Sequence, residues 1–238
     1  MATFRTKFKW FYYSLKLHTV TPIKIFGFLS QIAKTSKWVQ THKNIDFTDF
    51  PTRKFDYNKR YDLYSYIIEK ENLNSNIDYF EFGVFQGKSF KWWTKQIQHK
   101  DARFYGFDTF TGLPEDWGTF KKGDLANNNM IPEIDDTRNE FFQGLFQQTL
   151  PKFLKKYDGT KRKVILMDAD LYSSTAYVLQ AMSNYLKEGD ILFFDEFNVP
   201  EHEFKAFTEW VEINYLKYKV LGAVNNYYQV AIMLEDRV

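Results

Sequence analysis

An apolar run that ends in an acid and passes into a glycine turn is the feature that most constrains the fold of this chain. The run reads YFEFGVFQGKS at residues 79–89, with the pattern ExGxxxGxS. Glycines there let the backbone approach a ligand that a Cβ would block. A second acid, Asp108, closes the next strand-like run, where a carboxylate can accept hydrogen bonds from ribose hydroxyls. The pattern predicts a nucleoside lying across the carboxyl ends of parallel strands.

Short apolar runs alternate with amphipathic segments along most of the chain. The predicted elements are helices over 58–70, 88–98, 173–187 and 201–215, and strands over 78–82, 103–108, 163–168 and 190–194. Two further strands, 218–224 and 227–234, flank Asn225-Asn226, which predicts a tight turn. We therefore expect a Rossmann-like, doubly wound, mostly parallel α/β sheet with an antiparallel last strand, plus an N-terminal helical extension.

The first 45 residues differ from the rest in charge. They contain eight Lys or Arg, nine aromatic residues and no acid, although the formal charge of the 238-residue chain is only +2. Helical spacing places four apolar residues on one face beside basic ones; they are Phe4, Phe8, Phe11 and Leu15. We assign residues 1–54 to a basic, aromatic, helical extension and residues 55–238 to the Rossmann-like domain.

Three interpretations of this extension stay open. It packs on the domain or on a second subunit of a homo-oligomer, it lies on a membrane surface, or it is disordered. The chain has no apolar run long enough to span a membrane, and its start lacks the features of a secretory signal. We expect a cytoplasmic protein, and the membrane interpretation would add peripheral contact at the inner face of the membrane through residues 1–45.

Composition excludes several classes of site. The chain has no cysteine, which removes disulfides, thiolate metal sites and thiol nucleophiles, so a metal must be bound by oxygen or histidine. The near-neutral charge argues against nucleic acid as a partner.

Between Trp117 and Asn139 the periodicity is lost, and such a long irregular segment is typical either of a loop that covers a site or of a variable insertion.

Carboxylates follow two of the predicted strands. Asp168 ends one of them, and Asp195 and Glu196 end another, so all three should meet at one edge of the sheet. With no evident cationic side chain among them, a divalent cation such as Mg²⁺ is the simplest way to relieve their repulsion. The alternative is that Asp170 caps the following helix and one of the others accepts a backbone hydrogen bond.

These motifs resemble those of the class I S-adenosylmethionine-dependent methyltransferases of the macrocin and mycinamicin O-methyltransferase type, which methylate sugar hydroxyls and use magnesium. The resemblance covers about residues 54–197. It rests on EFGVFQGKS at 81–89, GFDTFTGLPE at 106–115, GLFQQTLP at 144–151, and DADLYSST at 168–175 with Asp195-Glu196.

The resemblance implies a role for each motif. The cofactor-binding residues would be Glu81, Gly83, Gly87 and Ser89 around the methionine part, Asp108 at the ribose with Thr109 and Phe110 beside it, and Gly144 and Phe146 near the adenine. Asp168, Asp195 and Glu196 fall on the family's three metal positions. The family usually has two adjacent aspartates where this chain has Asp195-Glu196.

The implied activity is transfer of a methyl group to a hydroxyl of a sugar or other vicinal diol, in a glycan or a natural product, with S-adenosyl-L-methionine and Mg²⁺ as cofactors. Asp168 is the first candidate for the proton acceptor. His202 is the second, against the alternative that it is a surface helix residue. A metal-independent small-molecule methyltransferase and a non-catalytic, membrane-associated scaffold stay open; a dinucleotide oxidoreductase is disfavoured because GxGxxG is absent.

Overall fold

A computed structural model describes residues 3–236, in which seven strands form one sheet with helices on both faces. The strands are β1 Ile77–Phe82, β2 Arg103–Asp108, β3 Asn139–Gln143, β4 Arg162–Met167, β5 Ile191–Phe194, β6 Lys217–Val224 and β7 Gln229–Glu235. The helices are α1 Phe4–Ser14, α2 Ile23–His42, α3 Lys59–Lys70, α4 Lys88–Gln96, α5 Phe146–Leu154, α6 Tyr172–Met182 and α7 Glu203–Asn214, with a 3₁₀ turn at Leu17–Thr19.

The strand order is β3-β2-β1-β4-β5-β7-β6. Strands β1 to β5 pair in parallel, and β7 is antiparallel to both of its neighbours, which confirms the predicted sheet. After β3 the chain returns to the other side of β1 to form β4. In doubly wound sheets the crevice outside such a switch point is where ligands bind.

Two hydrophobic cores lie on the two faces of the sheet. Alternate residues of β1 supply both, with Phe80 and Phe82 in the core beneath α5, α6 and α7, and Ile77 and Tyr79 in the core beneath α3 and α4. Because β1 is buried on both faces, its sequence is a nearly continuous apolar run rather than an alternating one.

Some elements differ from the sequence predictions. Strand β3 and helix α5 were not predicted; β3 is a short edge strand after an irregular segment, and α5 contains Pro151, a residue that usually argues against a helix interior. The last turn is also wider than predicted. It occupies residues 225–228, with Asn225, Asn226 and Tyr227 all in the left-handed region, and β7 begins only at Gln229.

The N-terminal extension is helical and contacts the domain through the end of α2. The ring of Trp38 lies 4.9 Å from that of Phe197, and its Nε1 donates a hydrogen bond to the Tyr218 hydroxyl at 2.7 Å. Helix α1, in contrast, has no buried residue. Within residues 3–236 the structure contains no helix with the length and apolar character needed to cross a membrane.

Candidate active site

Backbone hydrogen bonds continue the sheet past the ends of its central strands. The Asp168 amide donates to the Phe82 carbonyl at 2.9 Å, and the Asp195 amide donates to the Met167 carbonyl at 3.0 Å. The carboxyl ends of β1, β4 and β5 therefore stay in register. The glycine turn and the acidic residues predicted from the sequence lie at one edge of the sheet, next to the switch point.

Three of these acids form a compact cluster. Asp168, Asp195 and Glu196 each offer one carboxylate oxygen, and the three oxygens lie within 4.8 Å of one another. Asp195 and Glu196 are buried, whereas the Asp168 side chain is 22% exposed. Among residues 3–236, Asp195 Oδ1 and Glu196 Oε2 are buried without a hydrogen-bond partner. Convergent oxygens of this kind fit a hard cation such as Mg²⁺.

Sequence reasoning missed a cation in the same place. Nη1 of Arg60, on the first turn of α3, lies 3.1 Å from Asp195 Oδ2 and 3.7 Å from Asp168 Oδ2. The guanidinium also lies 4.2 Å from the ring centre of Tyr57, whose hydroxyl donates a hydrogen bond to Asp195. The expectation that no cationic side chain lies among the carboxylates is therefore wrong. No local pattern marks Arg60, because its carboxylate partners are more than 100 residues away in the sequence.

One guanidinium does not balance the acids around it. Burial and the charges of neighbouring carboxylates raise the pKa of Asp168 and of Glu196 well above the ordinary value. Burial, with the nearby Asp195, raises the pKa of Asp170 to about 7. Glu203 is fully buried, which raises its pKa well above the ordinary value, and its Oε2 accepts a hydrogen bond from the Glu196 amide at 3.0 Å. Ionisation of these carboxyl groups is therefore unfavourable without a cation, and a bound cation would stabilise their ionised forms.

The helix-capping alternative for Asp170 is wrong. Leu171, not Asp170, is the N-cap residue of helix α6, and the amide of the next residue, Tyr172, donates to the His202 side chain. Asp170 instead has a φ of 59° and lies beside the carboxylate cluster, as its raised pKa reflects.

The two glycines of the turn are required by contacts within the protein. Gly83 has a φ of +96°, and a Cβ there would lie 1.7 Å from the Asp168 carbonyl oxygen. Gly87 has a φ of +72°, and a Cβ there would lie 2.9 Å from the Pro132 side chain. Both positions strongly favour glycine. Close packing of the strand ends and of the covering loop explains these glycines without a ligand.

Glu81 and Ser89 lie inside the fold. Glu81 is fully buried in β1 and accepts hydrogen bonds from the hydroxyls of Ser89, at 2.6 Å, and Tyr79. Burial raises the pKa of Glu81 to about 7. In this structure the pair joins β1 to α4 beneath the glycine turn, and its contact with a cofactor stays a prediction.

Asp108 is partly exposed and organises the same turn. Its Oδ2 accepts hydrogen bonds from the amides of Val84 and Phe85, both at 2.7 Å, and its Oδ1 accepts one from the Phe110 amide at 2.6 Å. Oδ2 already accepts two hydrogen bonds, and Oδ1 can accept one more. Asp108 therefore fits the ribose role implied by the resemblance, and that role stays a prediction.

The two residues after Asp108 have mainly local partners. The Thr109 hydroxyl donates to the Gly112 carbonyl at 2.8 Å. The Phe110 side chain is fully buried in the core, with its ring 6.4 Å from that of Phe141. Contact of Thr109 and Phe110 with a cofactor stays a prediction.

Gly144 and Phe146 lie where the resemblance places the adenine. The Gly144 amide donates to the Asp108 carbonyl at 2.9 Å, so the start of α5 lies beside the end of β2. The half-buried ring of Phe146 packs 5.4 Å from that of Phe82. Contact of Gly144 and Phe146 with a cofactor stays a prediction.

The irregular segment between β2 and β3, residues 109–138, crosses this edge of the sheet. One end contacts the glycine turn through Pro132. The other end contacts the start of α6, where the Ser173 hydroxyl donates to Glu115 at 2.6 Å. The segment therefore spans the crevice, as expected of a covering loop.

His202 is the N-cap of α7 and is half-buried, so the surface-helix alternative does not describe it. Its Nδ1 lies 3.3 Å from the Tyr172 amide and accepts that hydrogen bond, which places the ring proton on Nε2 in the neutral form. Burial lowers the pKa of His202. Its ring lies 6.4 Å from that of Trp117 in the covering loop. A catalytic role for His202 stays a prediction.

Comparisons with known proteins agree with this geometry. Residues 80–197 match the family model described as a methyltransferase domain. The fold is similar to that of the calicheamicin methyltransferase CalS11, with 20% identity, a TM-score of 0.58 and coverage of 90% of this chain and 93% of the other. It is also similar to that of the O-methyltransferase NovP, with 19% identity, a TM-score of 0.56 and coverage of 75% and 80%. No curated protein sequence matches the chain significantly.

The matched range begins within β1 and ends just after Glu196. It includes the glycine turn, Asp108, the covering loop and the carboxylate cluster. Residues 80–197 therefore match a methyltransferase domain, and this match supports enzymatic methyl transfer by the chain.

Proposed function

We propose that this enzyme transfers the methyl group of S-adenosylmethionine to a hydroxyl of a sugar or other vicinal diol, with Mg²⁺ held by Asp168, Asp195 and Glu196. The observation that carries the proposal is the carboxylate cluster. One carboxylate oxygen from each residue lies within 4.8 Å of the others, and Asp195 and Glu196 each have an oxygen that is buried without a hydrogen-bond partner. The cluster adjoins the glycine turn, so a cation there would lie beside a methyl donor in the crevice.

The names of the similar structures support the acceptor class. One of them is described as a TDP-rhamnose 3′-O-methyltransferase of calicheamicin biosynthesis, which is 20% identical with a TM-score of 0.53. NovP is described as an O-methyltransferase. These descriptions favour an oxygen acceptor, and a sugar among such acceptors. The specific relation to the macrocin type stays part of this proposal.

The chain's own residues account for most of the proposed chemistry. A bound divalent cation would lower the pKa of an acceptor hydroxyl and fix two neighbouring oxygens. Asp168 is the one partly exposed carboxylate of the cluster, which supports it as the acceptor of the hydroxyl proton. The loop over residues 109–138 would exclude water and hold the acceptor in line with the methyl group.

The test measures release of S-adenosylhomocysteine from S-adenosylmethionine in the presence of glycosides with vicinal diols and of matched monodeoxy glycosides. We expect turnover with diols only, and its loss after exhaustive chelation. Asp195→Asn should lose turnover in the same way, whereas Asp46→Asn, at an exposed ion pair with Lys70, should not. Full activity in the chelated enzyme would contradict the metal role.

Arg60 favours a second candidate, a metal-independent methyltransferase. Its guanidinium already pairs with Asp195 at 3.1 Å and approaches Asp168. In that mechanism the enzyme would act by positioning alone, and Asp168 would serve as the base. Retention of activity after chelation, with loss in Asp168→Asn, would identify this alternative.

A further inference from the structure

Exposed apolar side chains are concentrated in the N-terminal extension. Within residues 3–236, 13 of the 23 exposed large hydrophobic residues lie between residues 4 and 32. They are Phe4, Phe8, Trp10, Phe11, Tyr13, Leu15, Val20, Ile23, Ile25, Phe26, Phe28, Leu29 and Ile32. An exposed patch of this kind marks an interaction surface.

Helix α1 presents an organised apolar face. The rings of Phe4 and Phe8 lie 6.5 Å apart, and those of Phe8 and Tyr12 lie 6.1 Å apart along the helix. Phe4 is 83% exposed, and the whole helix has no buried residue. This face therefore has no partner in the described part of the chain.

Helix α2 divides into an anchored half and an exposed half. Its C-terminal half is fixed to the domain by Trp38 and Val39, which are buried in the core. Its N-terminal half leaves Ile25, Phe26 and Leu29 exposed, at helical positions that group on one side. The extension therefore offers two apolar helical faces from a fixed attachment point.

Charge favours an anionic occupant. Residues 1–45 carry eight Lys or Arg and no acid, while residues 46–238 carry 24 Lys or Arg against 30 Asp or Glu. Two copies meeting face to face through this extension would bring like charges together. An anionic bilayer complements both properties, since its headgroups attract the basic residues and its acyl boundary accepts the aromatic ones.

We propose that the surface formed by residues 4–32 docks on anionic lipid bilayers. The attachment point lies beside the carboxylate cluster, because Trp38 packs against Phe197, which follows Glu196. Docking would therefore hold the crevice near the bilayer. A membrane-linked acceptor follows from this placement, and that consequence, unlike the docking, rests on the proposed function.

The test is sedimentation of the full chain with phosphatidylglycerol-containing or pure phosphatidylcholine vesicles. We expect binding to the anionic vesicles at about 0.02 M salt, with loss at about 0.5 M, because salt screens the attraction. Phe4→Ser/Phe8→Ser/Phe11→Ser should weaken binding about tenfold or more. The matched control is Ile213→Ser/Tyr215→Ser, which removes two exposed apolar side chains of the domain and should leave binding unchanged.

Circular dichroism and affinity for S-adenosylhomocysteine should be the same in parent and variants, so failure of docking is distinguishable from failure of the proposed function. Absence of vesicle binding at low salt would overturn the proposal, as would equal binding to neutral vesicles. A parent dimer that the triple variant converts to a monomer, without vesicle binding, would assign this face to a second copy instead.

Discussion

At the scale of single residues, Arg60 changes the electrostatics of the carboxylate cluster. Its guanidinium pairs with Asp195 and stacks on Tyr57, so part of the negative charge is neutralised without a metal. A buried ion pair is expensive to break on one side, because the remaining charge stays desolvated.

Arg60→Met should destabilise the metal-free enzyme by about 3–5 kcal/mol, the cost of leaving a buried charge unpaired. Mg²⁺ should restore more stability to this variant than to the parent. Urea unfolding in chelator and in Mg²⁺ measures both effects. The control is Lys121→Met, which removes an exposed ion pair with Asp116 and should change stability little. Parental stability of Arg60→Met in chelator would show that the pair contributes nothing.

Asp108→Ala should weaken S-adenosylhomocysteine binding by about 1.5–3 kcal/mol, the usual range for a hydrogen bond to a charged group. The three backbone amides that donate to Asp108 would also lose their acceptor, so Asp108→Ala should lose some stability as well. Asp108→Asn keeps one acceptor oxygen and should lose less affinity. Calorimetry measures the affinity of each variant for S-adenosylhomocysteine. An unchanged affinity in Asp108→Ala would show that Asp108 does not belong to the site.

Glu81 should make stability depend on pH. Its pKa is about 7 in the fold against an ordinary 4.5, so the protonated form is favoured in the folded state. Protonated Glu81 makes its full contribution to the free energy of unfolding below about pH 4.5. That contribution is lost as pH rises through 7, which lowers the free energy of unfolding by about 3 kcal/mol. Glu81→Gln should therefore gain stability relative to the parent between pH 5 and pH 8. Urea unfolding of both proteins at the two pH values should show this, and an equal difference at both would contradict it.

At the scale of elements, sequence periodicity predicted six of the seven strands but not β3, at one edge of the sheet. Strands β1, β2, β4 and β5 are buried runs whose ends coincide with acids, so pattern and position agree. Strand β3 has mixed burial, as an edge strand does. The five-residue length of β3 and its irregular approach leave no periodic signal.

The C-terminal half of helix α2 packs in the core, so substitutions along the extension should differ in their cost to stability. Trp38→Ala should cost about 3–5 kcal/mol, since it removes a buried aromatic side chain. Trp10→Ala, at a position that is 70% exposed, should cost almost nothing. Thermal unfolding measures the stability of the two variants. Equal stability would show that α2 is not anchored through Trp38.

At the scale of the whole molecule, topology explains which parts of the site were predictable. Parallel strands place their carboxyl ends at one edge, so the convergence of Asp168, Asp195 and Glu196 followed from the chain order alone. Arg60 and Glu203 lie on helices, and tertiary packing decides which side of each helix faces the site. Burial of Glu81 and Phe110 likewise could not be read from a motif, because motif positions do not reveal which side chains point into the core.

The most direct test of the account is calorimetric titration of Mg²⁺ into the enzyme saturated with S-adenosylhomocysteine. We expect one site per chain, with affinity reduced at least about tenfold in Asp168→Asn, Asp195→Asn and Glu196→Gln. Their affinity for S-adenosylhomocysteine should stay close to that of the parent, because the metal would act on the acceptor. Asp116→Asn should bind Mg²⁺ as the parent does. Absence of Mg²⁺ binding, or binding that all three variants retain, would contradict the metal site. Arg60 would then be the cation of the carboxylate cluster.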